Sequence, residues 1–386
     1  MAPISLSALN ITFLGTASAQ PSTTRNHSSL ALRLGGDVWL FDCGEATQHQ
    51  IQKSAVKMGK ISKIFITHTH GDHIFGLVPL LASRLNGAGG TAEGVEDPRV
   101  QALPTHWTGV IEIYGPPGTR DYVRSSLACT HTILGGPYVV HELHAPSSPS
   151  PSASFVIPPN PAELPGGRNI PVDEEIGTWR HIFTDEFVQV SAAPIAHSVP
   201  CVGYVVEEKP VPGKMDPKLY IPHLKRTKTP MSVLSQLQQG GEVILSDGTV
   251  LEGPRRRPGR KIVILGDTYD AGDIMANLAT DADVLIHEAT NAHLPGVDTN
   301  TKGEYTYEGV EERSRSRGHS TPQVAGRFAT RVRAKKLYLN HFSARYAGND
   351  DVDEKAGAVM AAIRELAETE FKGPVICARD LMSVDI

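Results

Sequence analysis

Four metal-ligating side chains stand within six residues of one another in this chain, a cluster that limits its possible folds more than any other feature. Residues 68–73 read His-Thr-His-Gly-Asp-His; the apolar stretch 61–67 before them is typical of a buried strand, and 74–85 after them of a buried helix. Imidazole nitrogen and carboxylate oxygen suit zinc. A histidine-rich surface loop is the alternative, but polar groups at a junction between buried elements indicate a function.

Other predicted strands also end in polar residues. In open α/β sheets, sites collect at the carboxyl ends of strands. A single histidine at a strand end is more often a hydrogen-bonded core residue. Ligand-type residues at the ends of several strands instead favour a shared site. Short strands and helices alternate in both halves of the chain, which indicates two β-rich halves facing each other with helices outside. The strands are 261–265, 282–286 and 336–339, followed by Asp267, Glu288 and His341.

Composition indicates a globular enzyme. The 386 residues suffice for one α/β domain with insertions, and 40% hydrophobic and 20% charged residues are ordinary values. No apolar run is long enough to cross a membrane, and the N-terminus resembles neither a secretory signal nor an Arg-rich transit peptide. Four cysteines without a CxxC pair fit a reducing compartment. We therefore expect a cytoplasmic or nuclear protein that is not secreted and has no membrane partner.

Three stretches depart from the core pattern within the single domain predicted over residues 1–386. Residues 86–108 are rich in glycine and polar residues, and residues 145–180 are rich in proline and serine. Such compositions do not easily build a core, so we expect two surface-loop insertions. Residues 208–260 are predicted to be an irregular segment that carries basic side chains.

The cluster at residues 68–73 matches the HxHxDH motif of the metallo-β-lactamase superfamily, and further motifs of that superfamily follow in order. The resemblance implies an αββα sandwich of two mixed β-sheets flanked by helices. It also implies two zinc ions per subunit, or Mn²⁺ or another divalent metal, and a metal loop oriented by Asp42. One zinc would be held by His68, His70, His197 and Asp267, and the other by Asp72, His73, Asp267 and His341.

Two shorter motifs resemble those that distinguish the tRNase Z family. Residues 287–290 read His-Glu-Ala-Thr, and residues 319–321 read His-Ser-Thr. The resemblance implies that Glu288 pairs with His319, which protonates the leaving group, while Asp72 accepts a proton from the attacking water. For residues 319–321 the alternative is a helix-capping Ser/Thr beside an incidental histidine.

The family resemblance implies a homodimeric endoribonuclease of the short form, with precursor tRNA as its partner. It would remove the 3′ trailer next to the discriminator base and leave a 3′-hydroxyl on the tRNA. The PxKxRN loop of the family corresponds to residues 21–26, with Thr23 in place of the lysine, so the response to a CCA end is open.

A tRNA-binding exosite arm of the family corresponds to residues 208–260. Its opening and exit match, whereas the middle lacks the usual Gly-Pro pattern. The net charge of the chain is −5, so any RNA contact needs local positive charge. A charge run can equally be a solvated face. The RNA-binding side chains predicted from both regions are Arg25, Asn26, Lys209, Lys214, Lys218, Lys225, Arg226 and Lys228.

Two other functions remain as alternatives. HxHxDH alone is shared with glyoxalase II, lactonases and arylsulfatases, so a di-zinc hydrolase of a small phosphodiester or ester is the first. The second is an RNA-binding relative without activity. The motifs at 287–290 and 319–321 oppose the first alternative, and the complete set of ligand residues opposes the second.

Overall fold

Two large β-sheets form the centre of the molecule. The structure is a computed structural model that describes residues 9–86, 109–145, 157–210, 213–298 and 306–386. Its strands are β1 Leu9–Gly15, β2 Ala17–Ser18, β3 Ser29–Leu34, β4 Asp37–Phe41, β5 Ile61–Phe65, β6 Ile111–Gly115, β7 Tyr138–His144, β8 Asn169–Pro171, β9 Trp179–Thr184, β10 Val188–Ile195, β11 Cys201–Glu208, β12 Glu242–Ile244, β13 Val250–Glu252, β14 Lys261–Ile264, β15 Val284–Glu288, β16 Leu337–Asn340, β17 Phe342–Ser343, β18 Val375–Cys377 and β19 Ser383–Asp385.

Both sheets are mixed. The first has the order β19-β1-β3-β4-β5-β6-β7-β8, and the second β18-β16-β15-β14-β11-β10-β9. Strands β4 to β8 run parallel to one another, as do β14, β15, β16 and β18. The other strand pairs within these two sheets are antiparallel. Parallel strands are covered on both faces, which explains their nearly continuous apolar sequences.

Helices cover the outer faces of both sheets. Between the sheets, the Phe65 ring stacks on Phe41 at 4.9 Å and meets Tyr204 of the second sheet at 5.3 Å. Separate apolar clusters join each sheet to its helices, which confirms the predicted αββα sandwich. Among the described residues, no helix is long and apolar enough to cross a membrane. The helices are α1 Thr47–Lys53, α2 Gly71–Ile74, α3 Leu77–Leu85, α4 Thr119–Cys129, α5 Pro217–Arg226, α6 Val233–Gln238, α7 Gly272–Ala279, α8 Tyr307–Ser316, α9 Pro322–Arg331 and α10 Glu354–Glu370, with a 3₁₀ turn at Met58–Lys60.

The predicted surface loop at 145–180 is partly integrated into the sheet. Strand β8 pairs with β7, Ala162 is buried, and Glu163 forms an ion pair with Arg124 at 2.7 Å. Backbone pairing and this ion pair thus attach part of the segment to the sheet, while most of residues 157–178 are exposed or half-buried and lie outside helices and strands, so the surface insertion stays a prediction. Residues 146–156 lie outside the described part, as does all of the predicted loop 86–108 except Asn86.

The segment 208–260 has a small core of its own, so the prediction of irregular structure there is wrong. Helices α5 and α6 pack with the hairpin β12–β13 around buried leucines. At the base of the segment, the Arg260 guanidinium donates to the buried Glu208 carboxylate at 2.9 Å. The segment is a separate small unit, which we call the arm. Its core leucines are Leu224, Leu237, Leu245 and Leu251.

Candidate metal centre and active site

Asp42 holds the histidine-rich loop in place. It follows β4, and the loop follows the neighbouring parallel strand β5. The Asp42 carboxylate accepts hydrogen bonds from the Thr67 amide at 2.7 Å and the Thr67 hydroxyl at 2.9 Å, and it lies 2.7 Å from His73 Nδ1. This contact directs the Nε2 atom of His73 away from Asp42 and into the site.

Three imidazoles form the first group of possible metal ligands. His70 Nδ1 lies 3.1 Å from His68 Nε2 and 3.2 Å from His197 Nε2. His197 Nδ1 donates to the Gly318 carbonyl at 2.8 Å. Because a carbonyl oxygen only accepts, this bond leaves Nε2 of His197 with a lone pair toward the group.

Asp72, His73 and His341 form a second group beside the first. His341 Nε2 lies 3.1 Å from His73 Nε2 and 3.3 Å from Asp72 Oδ2. The Ala19 amide, in a residue with left-handed backbone (φ 58°), donates to the same carboxylate oxygen at 2.8 Å. Asp72 thus has one of its oxygens fixed by the loop that follows β2.

Asp267 lies between the two groups. Its Oδ1 atom is 3.3 Å from His73 Nε2 and 3.2 Å from His341 Nδ1, and its Oδ2 atom is 3.8 Å from His68 Nε2. The residue is only 2% exposed. One carboxylate therefore faces both groups. The first group offers three imidazole nitrogens, and the second, which includes Asp267, offers nitrogen and oxygen donors; within each group these atoms lie within 4.8 Å of one another.

Burial and crowding set the charges of this site. Burial, together with the positive charge of nearby imidazoles, lowers the pKa of His68 well below its usual value. Burial opposes the charged form of Asp267 as well, but His341, His73 and His68 hold the pKa of that carboxyl well below its usual range. Clustered imidazoles and carboxylates with buried lone pairs form a donor set suited to divalent transition metals. The residues present thus fit a metal cofactor.

Glu288 and His319 form an ion pair next to Asp267. His319 Nδ1 lies 3.1 Å from Glu288 Oε1 and 3.7 Å from Asp267 Oδ2. Burial disfavours the imidazolium, but the charge and hydrogen bond of Glu288, with a contribution from Asp267, raise the pKa of His319 to about 9. The raised pKa favours the protonated form of this imidazole at neutral pH.

Residues that the sequence interpretation did not identify hold this pair. The buried Glu288 carboxylate accepts from the Thr290 hydroxyl at 2.7 Å and from the Thr268 amide at 3.0 Å. The Ser320 hydroxyl donates to the Thr268 carbonyl at 2.5 Å. Thr290 and Ser320 belong to the motifs noted above, so the motif spacing could have identified them, whereas no local pattern marks Thr268 or Ala19.

Arg25 is placed differently from its predicted role. The side chain is 1% exposed, and its guanidinium donates to the Tyr346 carbonyl at 2.7 Å, the Thr16 hydroxyl at 2.6 Å and the Ala378 carbonyl at 3.0 Å. The prediction that Arg25 binds RNA is wrong, because all of these bonds turn the guanidinium into the protein. Asn26 is partly exposed, and its side chain donates to the Glu45 carbonyl at 2.8 Å.

The predicted basic side chains of the arm are mostly exposed. Arg226 forms an ion pair with Asp247, and the half-buried Lys209 donates to the Asp185 carbonyl at the base of the arm. Both therefore have partners within the protein. The exposed lysines are Lys214, Lys218, Lys225 and Lys228.

Comparison with solved structures gives the class of the protein. The metallo-β-lactamase fold protein YhfI from Bacillus subtilis aligns with 98% of this chain and 100% of its own, with a TM-score of 0.53 and 16% sequence identity. At that identity the likeness shows the fold alone. The class is therefore that of metallo-β-lactamase fold proteins, and this chain carries histidine and aspartate groups that could hold metal ions at the carboxyl ends of its strands.

Sequence relatives give the family. Zinc phosphodiesterase ELAC protein 1 of Bos taurus is 38% identical over 392 aligned residues, which cover 98% of this chain and 99% of the relative. The crystal structure of human tRNase Z, short form, is 34% identical and covers 97% of this chain and 98% of its own, with a TM-score of 0.60. A family model described as Anti-Pycsar protein Apyc1 matches residues 9–87. The chain belongs to the tRNase Z family of zinc phosphodiesterases.

Proposed function

We propose that this chain is the endoribonuclease that removes the 3′ trailer from precursor tRNA by hydrolysis next to the discriminator base. One observation supports this most: Asp267 faces both ligand groups, and His319, whose raised pKa favours the imidazolium, lies beside it. A two-metal site with an adjacent proton donor suits hydrolysis of a phosphodiester. The relatives named tRNase Z and zinc phosphodiesterase support the choice of substrate.

The metal-binding roles are part of the proposal. His68, His70 and His197 would hold one zinc ion, and Asp72, His73 and His341 a second, with Asp267 shared between them. Manganese or another divalent ion can take the same donors. When bound, two such ions lower the pKa of water and neutralise negative charge on the phosphate.

The side chains of the site handle the protons. Water attacks phosphorus, the bond from phosphorus to the 3′-oxygen breaks, and His319 donates a proton to that oxygen. Asp72 accepts the proton of the water. Burial disfavours the charged form of the Asp72 carboxyl, but the hydrogen bond from His341 and the charge of His73 lower the pKa of this carboxyl and keep it ionised. The products are a tRNA with a 3′-hydroxyl and a trailer with a 5′-phosphate.

The proposal also covers how the arm binds the substrate and how many subunits the protein has. We propose that the arm lysines Lys214, Lys218, Lys225 and Lys228 contact tRNA phosphates, since their side chains are exposed and basic. A homodimer in the cytoplasm or nucleus completes the proposal. Light scattering during gel filtration tests the dimer, because a monomer mass at micromolar concentration would contradict it, and imaging of a tagged chain tests the location.

The decisive experiment is gel analysis of a 3′-extended precursor tRNA incubated with the purified protein. We expect a single cut next to the discriminator base with zinc or manganese, and none after chelation. Hydrolysis of bis-p-nitrophenyl phosphate serves as the control for the chemistry. Hydrolysis of that compound without any cut in the precursor would replace the proposal with a small-phosphodiester hydrolase.

A further inference from the structure

Two exposed arginines lie on the segment that leads into His319. Arg315 is in the last turn of α8, and Arg317 follows the helix. Gly318 then turns the chain with a φ of 85° and accepts the hydrogen bond from His197. The His319 amide donates to the Ser314 carbonyl at 2.9 Å, which ties the end of α8 to the site.

Arg315 packs against an aromatic ring on the segment that carries Asp267. Its guanidinium carbon lies 4.8 Å from the centre of the Tyr269 ring. Tyr269 follows Asp267 closely in sequence, and its amide donates to the carbonyl of Ala196 at 3.2 Å. The ring that supports Arg315 is thus connected to the segments that carry His197 and Asp267.

The two arginines differ from others near them in charge pairing. Arg327 pairs with Glu311 at 3.1 Å, and Arg331 pairs with Asp273. Within the described ranges, no carboxylate lies at ion-pair distance from the guanidinium of Arg315 or Arg317. Guanidinium groups without an acidic partner are available to bind phosphate.

A purely structural role is the alternative for these residues. Cations in the last turn of a helix interact favourably with its dipole. That role predicts that removing Arg315 and Arg317 lowers stability and leaves substrate binding unchanged. Contact with RNA predicts the opposite pattern.

We propose that Arg315 and Arg317 bind backbone phosphates of the precursor tRNA on the His319 side of the cut. The inference rests on the proposed function, in which His319 protonates the leaving 3′-oxygen. That oxygen belongs to the last nucleotide of the tRNA, so the RNA on this side is the acceptor stem and not the trailer.

The test compares R315A/R317A with R315K/R317K and with the control R33A/R364A, which removes two exposed arginines elsewhere. Arg33 lies near the C-terminal end of β3, away from Ser29 at the other end of the strand, whose hydroxyl donates to the Asp42 carbonyl. Arg364 lies in α10, where it pairs with Glu368. We expect the alanine pair to raise KM for precursor tRNA by roughly tenfold, with kcat unchanged. The magnitude of the slope of log affinity against log salt should decrease by about 1.8, the change expected for two phosphate contacts on a duplex. Hydrolysis of bis-p-nitrophenyl phosphate should not change, and the lysine pair should retain most of the salt dependence.

Varying the length of the trailer distinguishes contacts to the acceptor stem from contacts to the trailer. The rise in KM should be equally large for precursors with a long trailer and with a single-nucleotide trailer. The inference is overturned if the alanine pair only lowers the melting temperature, if the control pair raises KM as much, or if the effect disappears with the short trailer. Failure of the unmodified protein to cut precursor tRNA would instead refute the proposed function, together with the inference that depends on it.

Discussion

At the scale of single residues, the pair of Glu288 and His319 separates proton transfer from metal binding. We expect H319A to lower kcat for precursor tRNA by roughly 10²–10⁴-fold, the usual contribution of a general acid. Metal content, measured by atomic emission, should not change, because the two ligand groups do not require this side chain. Loss of zinc in H319A would mean that His319 is itself a ligand.

The same pair gives a pH prediction. The pKa of His319 is raised to about 9, so the acid form is present below that pH and is lost as the pH rises through it. The kcat of the unmodified enzyme should therefore fall at alkaline pH. In E288Q the pKa of His319 should decrease, and the fall in a pH–kcat profile should move to lower pH. An alkaline limb in the same place in both proteins would contradict the assignment.

Asp267 is the residue whose loss should affect both ligand groups. Since its two oxygens face different groups, we expect D267A to reduce metal content and to lower the rate by roughly 10³-fold or more. Metal analysis and single-turnover cleavage measure the two effects. Unchanged metal stoichiometry would count against a shared ligand.

Arg25 should affect stability and not RNA binding. The R25A substitution leaves the Tyr346 and Ala378 carbonyls without their guanidinium partner and removes a positive charge near the buried Asp380 carboxyl. We expect the free energy of unfolding in urea to fall by roughly 2–4 kcal/mol. The exposed variant R33A should change it little. A reduced salt slope for tRNA binding in R25A, with stability retained, would restore the RNA-binding role.

At the scale of elements, the arm is predicted to serve the substrate and not the fold. Gly213 lies against the Arg255 carbonyl, so residues 214–254 can be replaced by a short glycine linker. We expect this deletion to reduce cleavage of precursor tRNA at least ~100-fold, because the basic exosite is removed. Hydrolysis of bis-p-nitrophenyl phosphate should persist.

A milder arm variant provides the control for that deletion. L224A removes one of the four leucines of the arm core, so it should loosen the arm without shortening the chain. We expect an intermediate loss of precursor cleavage and full activity on the small substrate. Equal loss of both activities in the deletion would show that the segment supports the fold.

At the scale of the whole molecule, the sequence predicted the features that depend on residues close together in the chain. The donor residues follow buried strands, so strand ends and motif spacing identified His68 and Asp267, whose positions in a shared site the structure shows. Arg25 could not be placed this way, because its burial depends on Tyr346 and Ala378, far along the chain. The arm was not predicted to fold because its leucines are too widely spaced to form a periodic pattern.

The metal should also stabilise the whole molecule, because its ligand groups combine residues from both sheets. His68 and His73 follow a strand of the first sheet, whereas His197 and Asp267 follow strands of the second. A ligand that binds only the folded state at about 1,000 times its Kd adds ~4 kcal/mol. We expect chelation to lower the melting temperature by several degrees and zinc to restore it. An unchanged Tm would mean that the sheets are joined equally well without metal.

The distribution of the ligand residues along the chain also orders the events of biosynthesis. A ribosome must release residue 341 before the second ligand group can exist, 268 residues after His73 of the same group. Tight metal capture thus becomes a late step, restricted to chains in which both halves have folded and met. A chain truncated before residue 341 would therefore lack a donor of the second ligand group and could not complete the two-group site.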